Sequence, residues 1–224
     1  DGNPATEVVM RFYHYPSSNN TGSSFVKEVQ FETKDHATPF VNGTRDYGVI
    51  SDCSGQGNDG VLEPQAVPKW ENETAVGKGS YSFYEDRVIY KDYHYAKEKL
   101  TIMCWVKLDE IRESGFIQSD FYLSASPSGH LRAYWYNTSD PGYHYSPNVL
   151  PTDEWVHVCA TWTGTECILY ENGVEVKRVN TNTPGRNTNG YISIGTEGSN
   201  LPPSSSRQIH GNITDVRIYT TALS

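Results

Sequence analysis

The sequence has few of the features that mark helical, membrane-spanning or nucleic-acid-binding proteins. Runs of Leu and Ala are scarce in its 224 residues, and no strong helix pattern occurs. No stretch approaches the roughly 18 apolar residues of a membrane span, and no basic and apolar leader opens the chain. No cluster of Lys and Arg interrupts the formal net charge of −9. Because an acidic surface repels phosphates, we expect neither nucleic acid nor membrane insertion.

The cysteines and glycosylation sequons indicate the compartment. No CxxC pair occurs, so a zinc site is not expected. The even cysteine number favours disulfides, and three pairings are open for Cys53, Cys104, Cys159 and Cys167. Five N-x-Ser/Thr sequons occur, at Asn19, Asn42, Asn72, Asn137 and Asn212. Together these features predict a secreted glycoprotein, extracellular or on the cell surface.

What the chain does contain is a series of short β-type runs separated by turn residues. From about residue 80 onward, strand-like segments rich in Tyr, Val, Ile and Thr alternate with Gly, Pro and Asn turns, which favours an all-β sandwich or barrel. Asn172-Gly173 lies between two such runs and predicts a type I′ hairpin. Residues 1–35 contain two further runs and predict a separate N-terminal hairpin or arm, ahead of a main domain over residues 36–224.

Several segments, in order, resemble the laminin-G-like and concanavalin A-like jelly rolls. The segments that carry the resemblance are SDCSGQGNDGVL, GKGSYSF, LTIMCWVKL, EWVHVCATWTG, LYENGVEV, ISIG and GNITDVRIYTTALS. Each motif is modest, but their order and spacing are specific, and they cover approximately residues 40–224. The resemblance implies an antiparallel, two-sheet jelly-roll sandwich.

The resemblance also implies a disulfide pairing. Pentraxins, a related branch, carry a cysteine in each of two strands like those that contain Cys104 and Cys159. This implies a Cys104–Cys159 bond, which leaves Cys53 to pair with Cys167. His157 belongs to the W-x-H-V strand of the family, where we expect a hydrogen-bonded core histidine.

Many proteins of this type hold a structural calcium ion, which takes six to eight oxygen ligands. The resemblance points to a loop and to the last strand, with candidate ligands Asp52, Asn58, Asp59 and Asp215. Thr214 stands where a second acid is common in the family. The alternative for the loop is ordinary Asx-turn hydrogen bonding without a metal.

The catalytic patterns of related enzymes are missing. The clustered E-x-D-x-E motif of the glucanase branch does not occur, nor does a G-x-S-x-G elbow. Asp109, Glu110 and Glu113 lie close together, but they follow a core strand and suit a solvated loop better than a catalytic pair. We therefore expect no enzymatic activity and no catalytic residues.

The densest aromatic segment is HLRAYWYNTSDPGYHYSP. Strand alternation places Leu131, Ala133 and Trp135 on one face and the residues between them on the other. Sugar rings stack on aromatic faces, so we predict a ligand-binding surface, for which protein packing is the alternative. Its candidate residues are Arg132, Tyr134, Trp135, Tyr136, Tyr143 and Tyr145.

These observations lead to two functional hypotheses. The first is an extracellular binding module, lectin-like or adhesive, that recognises glycans or glycoproteins without catalysis. The alternative is a structural subunit of an extracellular filament or matrix, which would self-associate when residues 1–35 pair with a neighbouring subunit.

Overall fold

The computed structural model describes most of the chain from residue 49 onward. The described ranges are 49–62, 68–84, 86–91, 99–135, 142–181, 190–196 and 207–223. They belong to the second of two compact units, Arg45–Ser224, and the first unit is Asp1–Thr44. The predicted N-terminal hairpin or arm of residues 1–35 lies outside the described residues. So do Asn19, Asn42, Tyr136 and Asn137.

The described residues form two antiparallel sheets, and none of them is helical. The eight-stranded sheet has the order β1-β2-β5-β14-β7-β8-β9-β10. Its strands are β1 (Val49–Ile50), β2 (Gly60–Leu62), β5 (Val88–Lys91), β7 (Ser114–Gln118), β8 (Phe121–Ala125), β9 (His130–Trp135), β10 (His144–Val149) and β14 (Tyr191–Ile194).

The seven-stranded sheet has the order β13-β12-β11-β6-β15-β4-β3. Its strands are β3 (Lys69–Glu71), β4 (Ser80–Tyr84), β6 (Leu100–Leu108), β11 (Trp155–Trp162), β12 (Glu166–Glu171), β13 (Val174–Asn180) and β15 (His210–Tyr219). Two antiparallel sheets packed face to face confirm the predicted all-β jelly-roll sandwich. The described part of the chain contains no helix long and apolar enough to cross a membrane.

The core lies between the sheets and follows directly from strand alternation. In β6, every second residue from Leu100 to Leu108 is buried and belongs to the core. The facing residues of the eight-stranded sheet include Phe116, Leu123 and Leu131, which are also fully buried. Each such side chain contributes about 1.5–3 kcal/mol of transfer free energy. The apolar faces of the strands therefore account for the pairing of the two sheets.

The predicted type I′ hairpin is confirmed. Asn172 and Gly173 have φ angles of 50° and 77°, the left-handed conformation that such a turn needs at both central residues. The turn joins β12 to β13 and is also tied to β11. The Asn172 backbone N–H donates to the carbonyl of His157, and the side-chain oxygen of Asn172 accepts from the backbone N–H of His157.

The predicted Cys104–Cys159 disulfide is not formed in the structure, because the two side chains point to opposite faces of one sheet. Cys104 lies directly across from Val158, and Cys159 lies across from Met103. Residues that face each other share a side, and neighbours along a strand alternate. Cys104 therefore faces the core, whereas Cys159 faces outward with its Sγ 3.9 Å from Thr161 Oγ1. Burial raises the pKa of Cys159 to about 11.

The second predicted pairing, Cys53–Cys167, is also not formed. Cys167 is fully buried in the core, opposite Trp162 on β11. Cys53 is exposed in the loop between β1 and β2, so the two side chains are not joined in the structure. The residue directly across from Cys159 is Met103, so a disulfide from Cys159 to β6 would need a cysteine at position 103.

Candidate functional site

The aromatic surface lies at the end of the eight-stranded sheet formed by β8, β9 and β10. Tyr122 on β8 pairs with Tyr134 on β9, and Tyr145 on β10 pairs with Arg132 on β9. Leu131, Ala133 and Trp135, the alternate residues of β9, are buried in the core, as predicted. The pleat therefore presents the other set of side chains on the outer face of the sheet.

Four tyrosines on this outer face form what we call the tyrosine cluster: Tyr122, Tyr134, Tyr143 and Tyr145. The ring centroids of Tyr134 and Tyr143 are 4.9 Å apart, and those of Tyr122 and Tyr134 are 5.6 Å apart. Tyr143 also lies 6.1 Å from Tyr122 and 6.2 Å from Tyr145. Tyr145 is 45% exposed, and the other three are half-buried. The rings thus make one continuous surface that is open to solvent.

A buried guanidinium group supports this surface from below. The Arg132 side chain is 4% exposed, and its guanidinium carbon lies 4.3 Å from the ring centroid of Tyr143. Its Nε donates to Ser124 Oγ at 2.9 Å, and its Nη1 donates to Glu113 Oε1 at 2.9 Å. A buried charge is tolerated when it is paired and hydrogen-bonded in this way. Arg132 therefore holds Tyr143 in place and is not itself an exposed ligand contact.

Glu113 connects this buried arginine to an exposed one. Its second carboxylate oxygen lies 3.7 Å from Nε of Arg207, whose side chain is 47% exposed. Our expectation of a solvated loop carboxylate was wrong for Glu113, which is half-buried between two arginines. Glu110, its neighbour in sequence, forms an ion pair with Arg112 at 3.0 Å.

Trp135 was predicted as a ligand residue, and the structure corrects this. Its ring is 3% exposed and packs edge-on against Trp162 of the other sheet, at 5.1 Å between ring centroids. Phe121 packs against it on the same sheet at 6.3 Å. Trp135 is therefore a core residue that joins the two sheets, and a ligand on the outer face does not reach it.

Sequence reasoning missed Tyr122, Ser124, Glu113 and Arg207 as members of the site. The alternation in FYLSA, with Phe121 and Leu123 inward, would have placed Tyr122 outward. Only the pairing of β8 with β9 brings Tyr122 beside Tyr134. No local pattern indicates that Arg207 lies near Glu113.

The predicted calcium ligands are not assembled into one site. Asp52, Asn58 and Asp59 lie in the loop between β1 and β2, whereas Asp215 lies in β15 of the other sheet and pairs with Arg217 at 2.9 Å. Among the described residues, no group of three or more His, Cys, Asp or Glu side chains could hold a metal ion. The structure therefore does not bring the four predicted ligands together.

The loop instead shows the alternative Asx-turn chemistry. The Asp52 carboxylate accepts hydrogen bonds from the backbone N–H and the hydroxyl of Ser54 and from the backbone N–H of Asn58. The backbone N–H of Asp52 donates to Asp59 Oδ1 at 2.7 Å. These hydrogen bonds, the Ser54 hydroxyl first, lower the pKa of Asp52 to about 2.

The structure also bears on the predictions for His157 and Asn212. His157 is not a core residue. It is half-buried on the outer face of the seven-stranded sheet, with its ring edge-on to Trp105 at 5.4 Å, and burial lowers its pKa. Asn212 is 8% exposed, and its Nδ2, the atom that would carry a glycan, donates to Ser80 Oγ. The folded structure leaves little room for the predicted glycan at Asn212, whereas Asn72 is exposed.

Two packed antiparallel sheets define the class of this protein, an all-β sandwich of the jelly-roll type. The chain belongs to the concanavalin A-like lectin/glucanases superfamily, whose family model matches residues 84–224, more than half of the chain. No curated protein matches it in sequence.

Solved structures share the fold at low identity. A heptameric SAP-like pentraxin from Limulus polyphemus is 19% identical over 62% of this chain and 71% of its own, with a TM-score of 0.51. Domain 4 of an extracellular arabinanase from Geobacillus stearothermophilus, in complex with arabinotriose, is 16% identical over 78% and 88%, with a TM-score of 0.59.

A third structure is the binding domain of Paraclostridial Mosquitocidal Protein 1. It is 15% identical over 78% of this chain and 47% of its own, with a TM-score of 0.61. The present chain thus spans less than half of that structure. At these identities the likeness shows the fold alone.

Proposed function

We propose that this chain is a non-catalytic carbohydrate-binding module, lectin-like, and that the tyrosine cluster is its binding surface. The observation that carries the proposal is the continuity of four tyrosine rings on one outer face, with Tyr145 45% exposed. Sugar rings stack on aromatic faces, and each phenol adds a polar tip for hydroxyl groups.

Rigidity adds to the suitability of this surface. Arg132 is held by Ser124 and Glu113 and in turn supports the ring of Tyr143. A surface that is already ordered loses little conformational entropy when a ligand binds. The family is one of lectins and glucanases, and the arabinanase domain with this fold was solved with arabinotriose. Both facts support a carbohydrate ligand for the present chain.

The remaining parts of the proposal concern location and calcium. We place the protein outside the cell, where glycans are presented and where an exposed sequon such as Asn72 would be modified.

Calcium binding remains a proposal from the family alone. The loop that contains Asp52, Asn58 and Asp59 is the part of the chain where it would bind, and calorimetric titration with CaCl₂ tests it. Assembly through residues 1–35 stays a prediction about residues that the structure does not describe.

The test is a glycan array followed by calorimetry on the best oligosaccharides, with arabinotriose included. Replacing Tyr143 or Tyr145 by Ala should weaken binding at least about fivefold, since one aromatic contact is worth about 1 kcal/mol. Tyr84 provides the matched control, because it is 66% exposed but lies on the other sheet. Tyr84→Ala should bind like the parent protein. The proposal fails if no oligosaccharide binds, or if Tyr145→Ala binds as well as Tyr84→Ala does.

A further inference from the structure

We infer that β13 pairs antiparallel, edge to edge, with the same strand of a second copy of this chain, so that the protein forms a two-fold dimer. β13 spans Val174–Asn180 and is the outermost strand of the seven-stranded sheet. The pairing joins the seven-stranded sheets of the two copies into one continuous sheet. It goes beyond the proposed function, since the tyrosine cluster lies on the other sheet.

Among the described strands, β13 is the sheet edge best suited to pairing. The outermost strands of the two sheets are β1, β3, β10 and β13. β1 and β3 have only two and three residues, and β10 contains Pro147, which has no backbone N–H to donate. β13 has seven residues and no Pro, and five of the seven are exposed, with Val174 at 64%. A second strand can therefore reach this edge.

The backbone hydrogen bonds show which residues of β13 face the open edge. The Thr181 N–H donates to the carbonyl of Thr165 at 2.8 Å, so the adjacent residues Glu166 and Asn180 form a non-hydrogen-bonded pair. The backbone groups of a residue in such a pair point away from its partner strand. Asn180 and, two residues earlier, Arg178 therefore direct their N–H and C=O groups at the open edge.

Glu175 faces the edge as well. The type I′ turn pairs Glu171 with Val174, so the backbone of Val174 faces β12 and that of the next residue, Glu175, faces away. A register shift in the pairing with β12 inserts one extra residue between Glu175 and Arg178. The two side chains consequently lie on the same face, where Arg178 Nε donates to Glu175 Oε1 at 3.0 Å.

The order of residues in β13 is complementary to its own reverse. A two-fold pairing that places Glu175 across from Arg178 of the second copy also places Arg178 across from Glu175 of that copy. Because both residues face the edge, their backbones exchange hydrogen bonds across the new pair. The other facing residues are Val174 with Val179, and Val176 with Lys177.

The charges on this edge favour a second copy over an unrelated strand. Charged side chains on an edge strand normally oppose pairing, because like charges across from each other repel. Here Glu175 and Arg178 are 41% and 44% exposed and already paired at 2.7 Å within their own strand. In the dimer, two carboxylates and two guanidinium groups alternate in sign. A guanidinium group has five N–H donors, enough to bind both carboxylates.

The experiment is sedimentation equilibrium on the intact chain between about 5 and about 500 µM, the range expected for a small interface. The parent protein should change from monomer to dimer. Arg178→Glu should weaken association at least about tenfold, because it places like charges across from each other twice. The matched control is Arg217→Glu, which changes an exposed arginine of the same sheet away from the edge and should alter the Kd by less than about twofold.

A charge exchange sharpens this test. Glu175→Arg alone should weaken association as Arg178→Glu does. The double variant Glu175→Arg/Arg178→Glu restores opposite charges across the pair and should bring the Kd back to within about threefold of the parent value. A thermal melt of each variant shows whether it is folded at the temperature of the measurement.

Cysteine cross-linking tests the register without changing any charge. Val174 and Val179 of the second copy form a non-hydrogen-bonded pair with Cα atoms about 4.5 Å apart, which suits a disulfide. In a Cys53→Ser background, Val174→Cys and Val179→Cys chains should form a disulfide-linked dimer when mixed and oxidised, as seen on a non-reducing gel. Neither chain alone should do so, because the two copies of each position lie roughly 15 Å apart.

The inference is overturned if the parent protein stays monomeric throughout this range, or if Arg178→Glu associates as well as Arg217→Glu does. It is also overturned if the folded double variant associates no better than the single ones. Should the charge variants not fold, the cysteine mixture decides: a cross-link found only in the mixture supports the inference, and any other result overturns it. Oligosaccharide binding, which tests the proposed function, is measured separately.

Discussion

The outer faces of the two sheets carry similar residue types but arrange them differently. On the eight-stranded sheet, the rings of the tyrosine cluster contact one another and rest on the buried guanidinium group of Arg132. On the seven-stranded sheet, the rings contact in separate pairs, Trp105 with His157 and Tyr84 with His210. A ligand can use a continuous surface better than isolated pairs, so aromatic content alone does not identify the site.

The charged residues of the two faces differ in the same way. Arg132 is buried and links three side chains, Ser124, Glu113 and Tyr143. Arg178 and Arg217 are exposed and pair with acids close to them in sequence, Glu175 and Asp215. Exposed pairs of this type contribute little to stability. The comparison therefore predicts that arginine substitutions on the two faces have unequal effects.

The largest effect should come from the residue that lies directly behind the tyrosine cluster. Trp135→Ala removes a buried ring that packs on Trp162 and Phe121, so the free energy of unfolding should fall by about 3–5 kcal/mol. Urea denaturation followed by circular dichroism measures it. Tyr145→Ala, on the outer face of the next strand, should change stability by no more than about 0.5 kcal/mol. Equal losses in the two variants would contradict the assignment of inner and outer faces.

The next-largest effect is on stability, and it compares the replacement of the buried Arg132 with that of the exposed Arg178. Arg132→Met should lower the free energy of unfolding by about 2–3 kcal/mol, because Glu113 and Ser124 lose their partner in a largely buried environment. Arg178→Met is the control and should cost at most about 1 kcal/mol. Both are measured by urea denaturation at pH 7. If Arg132→Met costs no more than its control, then the buried ion pair is not what supports the cluster.

A smaller loss of stability should follow when the buried hydrogen bond between Asn212 and Ser80 in the seven-stranded sheet is removed. Asn212→Ala removes the buried hydrogen bond to Ser80 and should cost about 1–2 kcal/mol in a thermal or urea melt. When the chain is expressed in a secretory eukaryotic host, peptide mass spectrometry should find a glycan on Asn72 and none on Asn212. A glycan on Asn212 of folded protein would show that this strand is more open than the structure indicates.

The smallest effect concerns the exposed loop that contains Asp52. Folding lowers the pKa of its carboxyl from 3.8 to about 2. The contribution of this group is therefore complete above about pH 4 and is lost as the pH falls through 2. NMR should show the Ser54 and Asn58 amide resonances titrating near pH 2, and Asp52→Asn should abolish that titration. A midpoint near 4 in the parent protein would show that these hydrogen bonds do not form.

A large part of the fold was predictable from local sequence. The alternation of β9 correctly placed Leu131, Ala133 and Trp135 inward, and Asn172-Gly173 correctly predicted its hairpin. Both depend on residues close together in the chain, where backbone geometry determines which way a side chain points. For Trp135, the sequence indicated the correct direction of the side chain, but we assigned it the wrong role, that of a ligand residue. The same alternation that turned it inward also excluded it from an outer surface.

Other features depended on the register between strands, which local sequence does not determine. The one-residue difference between Met103 and Cys104 as the partner of Cys159 decides whether a disulfide can form. Register is set by the simultaneous packing of many side chains, so two similar motifs can align with a shift of one residue.

By itself, the sequence determined the strands, their inward and outward faces, and the family to which the chain belongs. Only the tertiary structure decided that Tyr122 joins Tyr134 and Tyr143, that Arg132 is buried beneath them, and that Glu113 is shared with Arg207. The reason is physical. Alternation is a property of each strand, whereas a binding surface is made by residues that are distant in sequence and become neighbours only when the sheets assemble.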